Sequence, residues 1–299
     1  MDRMHLMQVL VAVVDNGGFA AAARKLSSSP PAVTRAVAEL EARLGVRLLT
    51  RTTRTVRVTE IGARYVEDCR RILAAAEEAD EAAAGLHGAP RGRLTVTAPV
   101  LFGRLHVTSI VTDYLSLYPE TSVNCWFIDR VVQLVEEGID AAIRIGALPD
   151  SSLQAIPVGS VRRVVCAAPG YLAQHGTPTR PEDLHQHTLI FAGGVSPHPE
   201  WRFQRDGQLR TFKFAPRLTT TTNDAALVAA QTGFGLTSLL SYQVAEQLQR
   251  GELVRVLADF EPEPIPVHVV HREGRHAVRK VRSFLDLAVD RLRANPALH

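Results

Sequence analysis

The sequence predicts an α/β chain with a small helical head, a long connecting helix and a larger body. Three observations predict it. Apolar residues recur at helical spacing up to Leu44, and a short stretch of alternating residues follows. From Glu60 to Ala84 the chain has no proline and no glycine except Gly62, which favours one long helix. After residue 92, strand-like segments alternate with helical ones, the pattern of a mainly parallel sheet flanked by helices.

The charge of the chain is unevenly distributed. Of 299 residues, 46% are apolar and 22% are charged, and the formal net charge of +3 does not by itself indicate a nucleic-acid partner. An acid-free basic run nevertheless lies between Glu41 and Glu60, and an acidic cluster follows over residues 77–81. The basic run consists of Arg43, Arg47, Arg51, Arg54 and Arg57. A basic N-terminal unit is therefore followed by an acidic segment.

The cysteines and the N-terminus indicate a cytoplasmic protein. Cys69, Cys125 and Cys166 are far apart and form no C-x-x-C pair, which argues against a disulfide framework or a zinc site. The chain opens with charged residues and contains no uncharged apolar run near the ~20 residues that a membrane span needs. We expect no membrane association.

The first 45 residues predict three helices. After two short helical segments, Ser27 and Ser28 form a turn, and Ser29 is a good N-cap. Pro30 falls at the first helical position, where a missing N–H costs nothing, and Pro31 follows in the same turn. Val33, Val37, Leu40 and Leu44 form one apolar stripe, and Gly45 suits the position after the helix end.

Helix, short turn, helix is the arrangement in which the second helix reads the major groove of DNA. The two prolines give the tip of that helix a rigid apolar surface, which suits a thymine methyl group. Thr34 and Arg35 are the nearest polar side chains able to reach bases or phosphates. The sequence after Gly45 alternates as a two-stranded ribbon, with Arg51 and Arg54 placed for phosphates or the minor groove. Considered without the neighbouring helices, the arginine-rich ribbon is equally typical of a basic hairpin that is exposed to solvent and binds nothing.

These residues resemble a known family. The stretch "FAAAARKLSSSPPAVTRAVAELEARLGVRLLTRTTRTVRVTEIG" is similar to the winged helix-turn-helix of LysR-type transcriptional regulators, and the similarity covers residues 1–62. Gly18 departs from the Ser or Thr that is usual at the start of the second helix. The predicted DNA-binding residues are Lys25, Ser29, Pro30, Pro31, Thr34, Arg35, Arg51, Thr53 and Arg54.

Residues 63–90 predict a linker helix and a hinge. One stripe at spacings of three and four runs along the helix, near the coiled-coil repeat, and consists of Val66, Cys69, Leu73, Ala76, Ala79, Ala83 and Leu86. This stripe either pairs two copies or packs on its own domain. The resemblance implies pairing, with two reading heads on a two-fold operator. "GLHGAPRG" supplies the hinge.

Residues 91–299 resemble the effector domain of the same family, which is related to periplasmic binding proteins. The most specific stretch is "DRVVQLVEEGIDAAIRIGALPDSSL", in which we predict a helix over residues 130–138 and a strand after it. The Asp-Gly pair in "WRFQRDGQLRTFKF" predicts a hairpin. We assign residues 91–161 and 266–299, including a helix over 277–293, to a first lobe and 162–265 to a second.

In such folds the ligand lies between the lobes, at carboxyl ends of strands and N-termini of helices. Thr222 or Asn223 can cap a helix whose N-terminus favours an anion. Arg144 either pairs with a ligand carboxylate or forms a structural ion pair. An acidic effector is therefore favoured. The predicted effector residues are Val100, Leu101, Phe102, Arg144, Gly146, Phe191, Thr222 and Asn223.

The predicted function is a DNA-binding regulator that senses a small molecule, and not an enzyme. "GFGLTS" lacks the third glycine of a dinucleotide loop and follows a helix, and His185 and His187 lie in a loop typical of solvated histidines. No cofactor, metal or catalytic residue is expected. The expected partners are double-stranded DNA, a small effector, a second copy in a homodimer or homotetramer and, for an activator, RNA polymerase. The alternative is a small-molecule-binding protein with a vestigial DNA-binding head.

Overall fold

The computed structural model divides the chain into two compact units, Met1–Gly88 and Ala89–His299, which we call the head and the body. The described residues are 2–51, 56–83, 89–130, 132–134, 136–148, 153–194, 198–271 and 279–299. The predicted fold class is confirmed: a helix-turn-helix head with a two-stranded ribbon and a long helix precedes an α/β body with two sheets.

The head contains four helices and a short antiparallel ribbon. Its elements are α1 (Arg3–Asp15), α2 (Phe19–Lys25), α3 (Pro30–Leu44), β1 (Leu49–Arg51), β2 (Val56–Val58) and α4 (Glu60–Ala83). The start of α3 is as predicted, because the Ser29 hydroxyl accepts a hydrogen bond from the Ala32 N–H at 3.4 Å and Pro30 and Pro31 occupy the first turn. Gly45 ends α3 at a φ of 69°.

Hydrogen bonds between a side chain of α3 and main-chain groups fix the start of the ribbon to the helices. One carboxylate oxygen of Glu41 on α3 accepts hydrogen bonds from the N–H groups of Leu48 at 2.8 Å and Leu49 at 3.0 Å. The side chains of Leu48 and Leu49 are buried in the core of the head. At the start of α4, a Cβ on Gly62 would lie 2.0 Å from the Leu48 carbonyl oxygen. Only glycine therefore lets α4 approach the ribbon this closely.

The first half of α4 packs on the head itself. Val66 and Cys69 are buried in the same core as α1 and α3, and Leu73 packs against it. This part of the predicted pairing stripe therefore packs on its own domain. Among the described side chains of α4, the large apolar ones that are exposed are instead Ile61 and Ile72. The side chain of Ala83 and all of Leu86 lie outside the described residues.

The body is built on two mixed five-stranded sheets and a hairpin. Its strands are β3 (Gly92–Ala98), β4 (Thr121–Phe127), β5 (Ala141–Ile145), β6 (Gln154–Val161), β7 (Arg163–Ala167), β8 (Leu189–Ala192), β9 (Glu200–Arg205), β10 (Gln208–Lys213), β11 (Leu218–Thr220), β12 (Leu236–Leu240), β13 (Val254–Val256) and β14 (Ile265–His271). Its helices are α5 (Val100–Phe102), continued by a π-helical turn (Gly103–Val107) into α6 (Thr108–Leu117), then α7 (Pro169–His175), α8 (Asn223–Gln231), α9 (Ser241–Gln249) and α10 (Arg279–Arg293).

The strand orders define two lobes. The first sheet has the order β4-β3-β5-β14-β6 and the second β11-β8-β12-β7-β13. β14 runs antiparallel to both β5 and β6, so the chain returns to the first lobe after completing the second. α10 then packs against α6 of the first lobe. The predicted hairpin is present as β9 and β10, with positive φ angles at Asp206 and Gly207 as a type I′ turn requires.

The prediction of a helix over residues 130–138 is wrong. The described residues of this segment form turns, with Val132 and Leu134 buried in a small apolar cluster. Side chains bind the main-chain groups that a helix would use: Arg144 donates to the Val132 carbonyl at 2.8 Å, and Glu137 accepts from the Gln133 N–H at 3.1 Å. The Glu137 N–H still donates to the Gln133 carbonyl at 2.9 Å, as in a single helical turn, but these side-chain bonds stand in place of a continued helix.

Among the described residues, no single helix has both the length and the apolar character to cross a membrane; α1 and α2 meet that test only as a pair bent by 119°.

The close approach at Gly62 predicts that Gly62→Ala destabilises the head. The new methyl would overlap the Leu48 carbonyl, and overpacking of this kind costs about 1–3 kcal/mol. The melting temperature of the head, measured by calorimetry on the full chain, should fall. Gly18→Ser is the control, because nothing lies within 4 Å of a Cβ there and serine is a good N-cap for α2. Equal melting temperatures for the two variants would contradict the steric argument.

Candidate nucleic-acid interface and effector site

The exposed side of α3 begins with the two prolines. Pro30, Pro31 and Arg35 are exposed and Thr34 is half-buried, whereas Val33, Ala36, Val37 and Leu40 face the core. Lys25 is exposed at the end of α2, next to the turn that leads into α3. The tip of α3 therefore presents a rigid apolar edge beside a cation, the surface that groove binding needs.

Several exposed cations of the head have no acidic partner among the described residues. Within the described part of the head, no carboxylate lies within 4.0 Å of the charged groups of Arg24, Lys25, Arg35, Arg47 and Arg57. On α4, by contrast, Arg64 pairs with Glu60, Arg70 with Asp15 and Glu67, and Arg71 with Asp68. The positive charge of α2, α3 and the ribbon is thus available to phosphates.

In the body, the carboxyl ends of the parallel strands of both sheets meet at the junction of the lobes. Tyr242 of α9 is buried in the core of the first lobe, and its ring centroid lies 5.2 Å from that of Phe102. The charge of Arg104 in the first lobe also acts on Asp224 in the second. The segments after β3, β4 and β5 therefore face those after β8, β11 and β12.

The three predicted effector residues of α5 differ in accessibility. Val100 is 41% exposed, and its N–H donates to the Asp129 carboxylate at 3.0 Å. Leu101 and Phe102 are buried in the core of the first lobe. The structure thus places Val100 on an accessible wall and the other two behind it.

Arg144 lies near the carboxyl end of β5, and Gly146 follows that strand. Arg144 is partly buried, and its guanidinium donates to the Val132 carbonyl. Burial lowers the pKa of Arg144, while the nearby Glu137 raises it. Glu137 itself forms two hydrogen bonds with Arg130, at 3.0 and 2.6 Å. Arg144 therefore already binds a main-chain acceptor beside a charged network.

The predicted residues of the second lobe surround the start of α8. Phe191 is buried at the end of β8, and Thr222 and Asn223 begin α8. The neighbouring Asp224 occupies the first turn, and a hydrogen bond from Thr222 and the charge of Arg104 lower the pKa of its carboxyl. The helix N-terminus predicted to favour an anion therefore already has a carboxylate of this chain.

Two open surface cavities, of about 390 and 560 Å³, lie beside the β9–β10 hairpin. Glu182, Arg205 and Phe212 are among the residues that line the first of them. None of the predicted effector residues lines either cavity.

Two family models match the chain. The model for a bacterial regulatory helix-turn-helix protein of the lysR family matches residues 4–63, and the model for the LysR substrate binding domain matches residues 87–293. The chain belongs to the LysR family. It is a DNA-binding transcriptional regulator with an effector-binding domain.

Relatives of this LysR-type regulator include both directions of control. The transcriptional activator AaeR of Escherichia coli (strain K12) is 32% identical over 292 residues, 97% of this chain and 94% of that protein. A transcriptional repressor of Pseudomonas aeruginosa is 32% identical over 300 residues, 100% of this chain and 95% of that protein. The solved structure of CrgA, a LysR-type transcriptional regulator from Neisseria meningitidis, is 30% identical with a TM-score of 0.62 and covers 99% of this chain and 100% of that one.

Part of the predicted DNA-binding set of this LysR-type regulator lies outside the described residues. Thr53 and Arg54 are not described, and of Arg51 only the main chain is. Arg24, Arg47 and Arg57 are exposed cations of the head that the predicted DNA-binding set did not include. Arg47 and Arg57 belong to the acid-free basic run, so the charge pattern was the signal that could have found them.

The predicted solvated histidines have specific neighbours. His185 packs on Phe212 with ring centroids 4.6 Å apart, and His187 shares a hydrogen bond of 3.2 Å with the Tyr171 hydroxyl. Among the described residues, no group of three or more His, Cys, Asp or Glu side chains could hold a metal ion.

His106 is a half-buried titratable group at the lobe junction. It lies in the π-helical turn, its Nδ1 is 2.9 Å from the Asn295 side-chain nitrogen, and its buried Nε2 has no partner in the described residues. Its ring also packs on Tyr242, at 5.7 Å between centroids. Burial lowers the pKa of His106, so the folded state favours the neutral ring.

We expect acid to destabilise the body through His106. Because its pKa is lower in the folded chain than the ~6.5 of the unfolded chain, the stability that the neutral ring confers is complete above that value and is lost as the pH falls below it. His106→Gln should therefore show a smaller loss of melting temperature between neutral and mildly acidic pH than the wild type. The exposed His5→Gln variant is the control. An unchanged pH profile in His106→Gln would contradict the prediction.

Proposed function

We propose that two copies of this chain bind duplex DNA through the tip of α3 and the ribbon, and that a small acidic effector bound in the body changes that binding. The observation that supports the DNA interface is that Lys25, Arg35 and Arg57 are exposed and have no acidic partner among the described residues. Pro30, Pro31, Thr34 and Arg35 read the bases, while Lys25 and the ribbon arginines bind phosphates. Ser29 fixes the start of α3 through its cap.

The second half of α4 is the proposed pairing surface. Ile72 is 43% exposed, and Ala75 and Ala79 are exposed on the same face of the helix. Small side chains at spacings of three and four let two helices approach closely. A dimer built on α4 presents two copies of α3, as a two-fold operator requires. Further pairing of dimers gives a tetramer.

The effector acts through a difference in affinity. A ligand at the junction of the lobes shifts the equilibrium between two arrangements only if it binds one of them more tightly. The residues proposed to contact it are Val100, Arg144, Gly146, Phe191, Thr222 and Asn223, with Leu101 and Phe102 behind them. Because the target is an operator, we place the chain in the cytoplasm, where an activating form also contacts RNA polymerase.

Binding of duplex DNA by the full chain should depend steeply on salt. Arg57→Ala should weaken binding uniformly across sequences and reduce the slope of log affinity against log salt by about 1, because one phosphate contact is lost. Pro30→Ala or Thr34→Ala should instead change the preference between sequences. Gel shift at a series of salt concentrations measures both effects. Arg71→Ala is the control, since it also removes a cation but one already paired with Asp68.

If the wild type ignored every duplex even at low ionic strength, the head would be vestigial and the body a small-molecule-binding protein. An Arg57→Ala slope equal to that of the wild type would remove β2 from the interface.

A charge on the exposed face of α4 should break the dimer. Ile72→Glu places two like charges in the proposed seam, and we expect the sedimentation coefficient to fall to that of a smaller species. Ala63→Glu adds the same charge on the opposite, exposed face of α4 and should leave the assembly intact. A monomeric wild type, or an unchanged Ile72→Glu assembly, would exclude this seam.

A further inference from the structure

Arg163 lies at a crossing between the lobes and faces their junction. β6 ends at Val161 in the first sheet, and β7 begins at Arg163 in the second. Arg163 is directly opposite Leu240 in the antiparallel ladder of β7 and β12. Leu240 packs against the core of the first lobe. Because opposite residues of an antiparallel pair project from the same face, the Arg163 side chain is directed toward the first lobe.

The guanidinium of Arg163 has no acceptor. Burial lowers its pKa, yet the residue keeps part of its surface accessible, as a side chain does that lines a cleft. In the described chain no carboxylate lies within 4.0 Å of it, and its guanidinium forms no hydrogen bond. A buried cation without a partner destabilises the fold, so such a group is expected where a ligand supplies the missing charge.

The Tyr242 hydroxyl is a second donor at the same place. It accepts a hydrogen bond from the Gln243 side-chain amide at 3.2 Å, but its own O–H meets no acceptor in the described chain. Burial raises the pKa of Tyr242 to about 12, although the Gln243 bond and the nearby charge of Arg163 lower it. The hydroxyl therefore stays protonated at neutral pH and remains able to donate.

Two other groups that were predicted to favour an anion at the junction are already engaged. Arg144 donates to the Val132 carbonyl, and Asp224 occupies the N-terminus of α8. Asp129 is the carboxylate whose charge reaches Tyr242, but one of its oxygens accepts the Val100 N–H. Arg163 and Tyr242 are thus two neighbouring donors that lack an acceptor at the junction.

We propose that Arg163 and the Tyr242 hydroxyl together bind the carboxylate of the effector. The assignment rests on the proposed function, in which the body binds a small acidic molecule. A carboxylate oxygen accepts hydrogen bonds from a guanidinium and a hydroxyl at once, and the charge-assisted bond is the stronger of the two. A ligand held there contacts the residue at which the chain passes from one lobe to the other, so its binding bears on the lobe arrangement.

The test uses the full chain and two minimal carboxylates. Sodium acetate and sodium benzoate should raise the melting temperature of the wild type more than sodium chloride of equal ionic strength, and more than acetamide or benzamide. Arg163→Gln should weaken benzoate binding, measured by calorimetry, by about 30-fold or more, since one partner of a buried charge pair is removed. Tyr242→Phe should weaken it less. Arg162→Gln, on the exposed neighbouring arginine, should bind as the wild type does.

The proposal would be overturned if the amides stabilised the chain as much as the carboxylates, or if neither carboxylate stabilised it. Wild-type affinity for benzoate in Arg163→Gln would also overturn it. A ligand-free measurement separates it from a structural role. Arg163→Met removes an unpaired buried charge and should raise the melting temperature of the chain without carboxylate, whereas a lower value would show that Arg163 supports the fold and would refute the proposal. Duplex binding by the wild type in the same buffers tests the proposed function separately, because it does not depend on Arg163.

Discussion

The geometry of the body depends on the pairing of β14 with β5 and β6. This late strand lies between two strands that precede the second lobe in sequence, so the chain must cross between the sheets twice. The first crossing is at Val161–Arg163, and the second precedes Ile265. The two lobes are therefore joined by two chain segments rather than by one. The junction at which Phe102 and Tyr242 pack together exists because of this pairing.

Local chemistry made much of the fold predictable. The proline-led start of α3 and its glycine end, together with the Asp206-Gly207 turn, are set by residues next to one another, and each is present as predicted. The turns over residues 130–138 depend instead on Arg144, which lies on a later strand. The apolar spacing of this segment predicts a helix, but the bond from Arg144 comes from outside the segment and cannot be seen in its spacing.

The two candidate sites also differ in how far the sequence predicts them, because one depends on residues close in sequence and the other on residues far apart. Pro31 and Arg35 lie one helical turn apart, so their common exposed face follows from the sequence. The effector side was less accessible to prediction, because the absence of a partner for Arg163 becomes visible only once Leu240 and Tyr242 are placed beside it. In both places arginines without acidic partners mark the surface, which the sequence alone shows as nothing more than positive charge.

The burial of Val66 and Cys69 in the core of the head joins α4 rigidly to α1 and α3. The helix spans 24 residues, about 36 Å, and its first turns share one core with α1 and α3. Helix α3 cannot rotate relative to α4 without disrupting that core. In the proposed dimer, a change in the angle at which two copies of α4 cross would therefore carry each copy of α3 with it and would change the distance between the two major-groove contacts.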